Sequence, residues 1–241
     1  MRLLGLLFIG LLLGGGVGAT DTDFRAEREA LIREIEQDVK ATGRHLGRER
    51  LDPRVLQALR SVPRHRFVTD AYRGQAYENR PLPIGHGQTI SQPYIVAIMT
   101  ELLEPEPGQR MLELGTGSGY QAAVLAQVTG RVYSMEIIPE LGEKAAERLR
   151  RLGYDNVQVR VGDGYYGWPE QGPFDGIIVT AAGDHVPPPL VEQLKPGGRM
   201  VIPVGSWYFT QQLLLIEKTA DGTLETREIL PVAFVPLTGD H

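Results

Sequence analysis

The stretch Arg110 to Tyr120, RMLELGTGSGY, constrains the fold more than any other. Met111-Leu112-Glu113-Leu114 reads as a buried strand that runs directly into a turn holding Gly115, Gly117 and Gly119. Glycine reaches positive φ without strain and has no Cβ, so a ligand can lie against the backbone of such a turn. Tyr120 to Gln127 follows as an apolar segment rich in helix formers. Strand, glycine turn and helix together aim free N–H groups and a helix N-terminus at a nucleotide-like ligand.

The chain around this stretch alternates. Apolar runs predict strands at Met111–Leu114, Arg131–Met135, Val157–Val161, Gly176–Thr180 and Arg199–Val204. Helical patterns fall at Tyr94–Leu103, Gln121–Gln127, Pro139–Leu152 and Pro188–Leu194. Near-continuous apolar strands separated by helices imply a mostly parallel sheet with helices on both faces, an α/β Rossmann-like three-layer sandwich. Gln211–Thr219 and Thr226–Leu237 flank an Asp221-Gly222 turn and predict an antiparallel C-terminal hairpin finishing the sheet. Ligands in such sheets bind beyond the carboxyl ends of the strands.

Ahead of this core, Phe24–Val39 places Leu31, Ile32, Ile35 and Val39 on one helical face. Asp52-Pro53 opens a second helix through Val55, Leu56 and Leu59, and Ser61–Val68 ends it. Ala71–Gln92 is rich in Gly, Pro, Tyr and Asn without a period, which predicts a long loop with a function of its own. Residues 20–92 thus form an N-terminal helical segment and substrate loop, one compact domain with the core 93–241. Trp168 and Trp207 read as packing residues.

Residues 1–19 have a different character. Met1-Arg2, the apolar run Leu3–Leu13 and the small Val17-Gly18-Ala19 have the layout of a secretory signal peptide. The remaining composition excludes other classes. A net charge of −5 with no basic block argues against nucleic-acid binding. The absence of cysteine excludes disulfides, thiolate zinc sites and lipid-attached cysteine. The five histidines are scattered, His86 alone standing near the expected site, and no metal site is expected.

Three successive strand ends carry ligand-suited groups. The first is the glycine loop. The second ends at Glu136, a carboxylate able to accept from both hydroxyls of a ribose. The third ends at Asp163-Gly164, where the acid can accept from an adenine amino group. Either acid taken alone reads also as a solvated strand-end carboxylate, but three ligand-suited groups on three successive strand ends are hard to reach by chance. A dinucleotide also suits Gly117-Ser-Gly119-Tyr-Gln-Ala122 with an acid downstream. If Gly115 is the first turn glycine, however, Tyr120 occupies the place of the third small residue. That phase favours S-adenosylmethionine (SAM).

Glu113-x-Gly-x-Gly-x-Gly119, Glu136, Asp163-Gly164 and Leu194-Lys-Pro-Gly-Gly-Arg199 resemble the successive motifs of class I SAM-dependent methyltransferases. Gly85-His-Gly-Gln-Thr-Ile-Ser-Gln-Pro93 resembles more narrowly the signature of the protein-L-isoaspartate O-methyltransferase family. Val62–Val68, Val201–Gly205 and Phe234–Thr238 are similar to that family too, and the match runs from about Arg28 to the end. The resemblance implies methyl transfer to the free α-carboxylate of L-isoaspartyl, and in many members D-aspartyl, residues of damaged proteins and peptides. It implies Ser91 as the active-site hydroxyl, Gln88, Thr89 and Ile90 as the lip around it, and Thr238 closing over the cofactor. Ser91 also reads as an N-cap of the helix behind Pro93. A class I methyltransferase for another carboxylate or small molecule, and a non-catalytic SAM-binding module, are the competing readings. The expected enzyme is a monomer without stable membrane association. SAM supply favours the cytoplasm, and the signal-like leader favours the periplasm.

Overall fold

The computed structural model describes residues 24–206 and 209–239. The signal-like segment and Trp207 lie outside them. Helix α1 (Arg25–Ala41) buries Leu31, Ile32, Ile35 and Val39, the face expected from the sequence. After the short α2 (Gly43–Leu46), α3 (Pro53–Ser61) starts where Asp52 accepts the Arg54 N–H at 2.7 Å, with Pro53 at the first helical position.

The segment read as loop is more ordered than its composition suggested. β1 (Leu82–Gly85) and β2 (Gln88–Ile90) pair antiparallel as a small hairpin. Its tip carries three successive positive φ values at Gly85, His86 and Gly87. Leu82 and Ile90 bury its base. α4 (Pro93–Leu102) follows, and its N-cap is Gln92, whose side chain makes no capping bond. The cap role read for Ser91 is thereby corrected: Ser91 stands one residue too early.

The core alternates as expected: β3 (Arg110–Leu114), α5 (Tyr120–Val128), β4 (Arg131–Glu136), α6 (Pro139–Arg151), β5 (Val157–Val161), β6 (Phe174–Val179), α7 (Pro188–Gln193) and β7 (Leu194–Val204). β7 begins earlier than expected because it pairs β6 at Leu194, bulges, and resumes at Arg199. The antiparallel β8 (Gln211–Lys218) and β9 (Leu224–Val232) complete a seven-stranded sheet in the order β5-β4-β3-β6-β7-β8-β9. Strand residues alternate between two cores. Met111, Val132, Ile178 and Val201 pack with α1, α3, α4 and α5. Leu112, Leu114, Tyr133 and Ile177 pack with Leu190 of α7 and with Trp168. Trp168 is a packing residue, edge-on to Tyr133.

The strand order reverses beside β3, whose neighbours are β4 and β6, so a crevice opens at the carboxyl ends of these strands. The C-terminal reading needs one correction. β9 ends at Val232 rather than reaching Leu237. The chain leaves the sheet edge because Ala182 N–H donates to Val235 O (2.8 Å) and Leu237 N–H to Ala182 O (2.7 Å). That draws the tail over the strand ends.

Candidate active site

The glycine loop is held from both neighbouring strands. On the β4 side, Gly115 and Thr116 N–H both donate to Met135 O, at 2.8 and 3.1 Å. On the β6 side, the Thr180 hydroxyl reaches Leu114 O at 2.9 Å and Gly115 O at 2.7 Å. This close approach requires glycine. Gly115 has φ +93°, and a Cβ there would sit 2.5 Å from the Thr180 Oγ1. Gly119 serves packing instead, since a Cβ on it would press on Leu149 of α6 at 3.1 Å.

The three acids differ in their surroundings. Glu136 ends β4 buried, its Oε2 accepting Gly117 N–H at 2.7 Å and its Oε1 accepting Ile138 N–H at 3.0 Å. Each carboxylate oxygen can accept two hydrogen bonds and receives one here, so a lone pair remains on both for a ligand diol. Glu113 is fully buried behind the loop. Burial pushes its carboxyl up to about 8, against the lowering bond from the Ser134 hydroxyl. Thr116 Oγ1 meets Ser134 Oγ at 2.5 Å, so Glu113 braces the loop through two hydroxyls. Asp163 accepts Tyr165 N–H at 2.9 Å and caps the short turn that presents Gly164.

An open cleft lies beyond these strand ends, where sheets of this kind bind their ligands. Gln88, Thr89, Ile90, Ser91, Gly115, Gly117, Glu136, Gly164 and Thr238 line it together. Glu113, Gly119 and Asp163 do not reach its wall. Thr180, Tyr120, Ile138 and the tail residues Val235–Leu237 do line it, and sequence reasoning missed them. Thr180 was visible as a hydroxyl ending an apolar run.

A second, open groove lies alongside, walled by Ile95, Phe209, Pro231, Val232 and Phe234. Thr89, Ser91, Thr180 and Val235 border both spaces. Among the described residues the Ser91 hydroxyl has no hydrogen-bond partner, whereas its carbonyl accepts from Arg64 at 2.8 Å. The tail dividing the spaces is clamped by buried Gln211, whose amide accepts Phe234 N–H at 2.6 Å and donates to Phe234 O at 3.0 Å. No cluster of three or more metal-ligating side chains occurs among the described residues.

Comparison with known proteins agrees with this geometry. The family model for protein-L-isoaspartate(D-aspartate) O-methyltransferase matches residues 38–241. Protein-L-isoaspartate O-methyltransferase 2 of Syntrophobacter fumaroxidans is 61% identical over 236 residues, covering 98% of this chain and 96% of its own. Protein-L-isoaspartate O-methyltransferase 1 of Cupriavidus necator is 58% identical, with 97% and 90% covered. A solved protein-L-isoaspartate O-methyltransferase superposes with a TM-score of 0.78 at 33% identity, over 88% of this chain and 66% of its own. A Plasmodium falciparum structure assigned the same activity, holding S-adenosyl-L-homocysteine, superposes at 0.70 and 26% identity, with 89% and 97% covered. The chain belongs to the protein-L-isoaspartate(D-aspartate) O-methyltransferase family.

Proposed function

We infer that this enzyme transfers a methyl group from SAM to the free α-carboxylate of L-isoaspartyl residues in damaged proteins and peptides. The observation that carries the reading is the place of Ser91, an unpartnered hydroxyl on the shared border of the cleft at the strand ends and an apolar groove. SAM supplies a methyl carbon activated by its sulfonium, and a carboxylate, ionised at neutral pH, accepts it with no proton to remove. The protein's work is therefore alignment and exclusion of water.

The residues divide that work. Glu136 offers its spare lone pairs to the ribose hydroxyls, and Gly115 and Gly117 let the cofactor lie on the backbone. Gly164 forms the adenine wall, and Asp163 sets the turn that presents it. Glu113 and Gly119 act from behind, bracing the loop and seating α5. The β2 lip, Gln88–Ile90, and Thr238 cover the cofactor, and Ser91 donates to the substrate carboxylate. The peptide flanking the damaged residue lies in the groove of Ile95, Pro231 and Phe234.

Substrate proteins are the partners, and we propose that the enzyme works as a monomer without nucleic acid. Among the described residues no helix is long and apolar enough to cross a membrane. We favour the cytoplasm as the working compartment, where SAM is made, with export through residues 1–19 as the competing reading. Fractionation with N-terminal sequencing decides between them.

The substrate role of Ser91 is tested by Ser91→Ala. The expected variant melts like the wild type and binds S-adenosylhomocysteine normally, yet loses most turnover on an isoaspartyl peptide. Near-normal turnover would remove Ser91 from the reaction.

A further inference from the structure

Arg64 lies on the short turn Arg64–Arg66 and is among the largest fully buried side chains of the protein. Among the described residues no carboxylate lies within ion-pair distance of it. Its Nε donates to Ala76 O at 2.9 Å, and its Nη2 donates to Ser91 O at 2.8 Å and reaches Arg80 O at 3.5 Å. Nη1 is buried without a partner. The guanidinium carbon stands 4.8 Å from the ring centre of Tyr120, the first residue after the glycine loop. Burial pulls the Arg64 pKa down to about 10, so the group keeps its charge at neutral pH.

A buried cation without a counterion is costly, and an apolar side chain of similar volume would fill the space at less expense. What an apolar side chain cannot do is bridge. The planar fork of arginine holds carbonyls in fixed directions. Here those carbonyls stand on either side of the β1–β2 hairpin, Ala76 and Arg80 before it and Ser91 after it. The Tyr120 ring beside the guanidinium lines the cofactor cleft. One side chain thus joins both arms of the substrate lip to the start of the cofactor-binding helix.

We propose that Arg64 is a positioning residue for methyl transfer, fixing the backbone of Ser91 so that its hydroxyl stands between the cofactor cleft and the substrate groove. The inference rests on Ser91 contacting the substrate. It goes beyond that reading in giving a fully buried residue that lines neither the cleft nor the groove control over the alignment of the two ligands.

The test is a double-mutant cycle with Arg64→Lys, which keeps the charge but cannot span the Ala76 and Ser91 carbonyls together. Rates are normalised to S-adenosylhomocysteine-binding sites, so only folded molecules count. We expect kcat on an isoaspartyl peptide to fall on the order of 10- to 100-fold, the usual effect of small misalignment, with S-adenosylhomocysteine affinity within about threefold of wild type. In a Ser91→Ala background the same substitution should change kcat by less than about threefold, because both changes disable one device. Additive losses, unchanged kcat, or a loss confined to cofactor affinity would overturn the proposal. So would the absence of binding sites in both Arg64→Lys and Arg64→Met, which would make Arg64 a folding residue only. Hydrogen exchange at residues 88–92 separates this inference from the reaction itself. It should quicken in Arg64→Lys without any peptide, even if wild-type enzyme esterified no isoaspartyl substrate, and unchanged exchange would count against the proposal.

Discussion

Gly115→Ala probes the central contact of the cofactor loop. Its φ of +93° places an alanine in the left-handed region, at about 1–2 kcal/mol. The new Cβ would also stand 2.5 Å from Thr180 Oγ1, a separation that forces the hydroxyl to move. Moving it disrupts the single O–H donation shared between Leu114 O and Gly115 O, worth about 1 kcal/mol. The expected destabilisation is about 2–3 kcal/mol, read as a shift in urea midpoint. Gly222→Ala is the control, because Gly222 has φ +88° but open space around it, leaving the conformational cost alone. Adding Thr180→Ala removes the overlap, so the double variant should lose about 1 kcal/mol less than the sum of the singles. S-Adenosylhomocysteine affinity should fall in Gly115→Ala and not in Gly222→Ala. The reasoning is refuted if Gly115→Ala is as mild as the control and additive with Thr180→Ala.

Two further outcomes follow from the acids. Glu136→Ala removes the acceptor of two backbone N–H groups and the proposed acceptor for the ribose diol, and should weaken S-adenosylhomocysteine binding by about 1–3 kcal/mol by calorimetry; unchanged affinity would reject the ribose role. Glu113, pushed up to about 8 by burial, holds in the folded state a proton that the unfolded chain releases near pH 4 to 5. Its contribution is therefore fully present below that range and is lost as pH rises to about 8, on the order of a few kcal/mol. Glu113→Gln should be less pH-sensitive than wild type between pH 5 and 9 in urea melts, and should gain on it towards pH 9. Parallel stability curves would contradict a protonated Glu113.

Much of this architecture was legible in the residues. The long apolar runs of β3, β4 and β6, separated by amphipathic or apolar helices, leave little choice but a parallel sheet, and β5 fell at Val157–Val161 as read. The hairpin at 82–90 was hidden because it buries only its base and turns through a positive φ at His86, which composition does not signal. The tail was misjudged for the opposite reason. Phe234–Leu237 has strand-like residues, but its partner is Ala182 in a loop far along the chain, a contact set by tertiary structure. At the site, Glu136 faces the cleft as its strand-end position implies. Glu113 and Gly119 belong to the same motif yet serve the wall behind it, because motif spacing does not distinguish a ligand contact from the support beneath. Arg64 sits in the polar-looking run Pro63–Arg66, and nothing in that run announces a buried guanidinium.

We propose that the Ser91 border brings an isoaspartyl carboxylate to the SAM cleft. It is tested most directly by transfer of labelled methyl from SAM to an isoaspartyl peptide, beside its normal aspartyl twin. The account predicts base-labile methyl ester on the isoaspartyl peptide and essentially none on the twin, with transfer abolished by excess S-adenosylhomocysteine. Equal labelling of both peptides, or labelling of neither by an enzyme that binds S-adenosylhomocysteine, would contradict it.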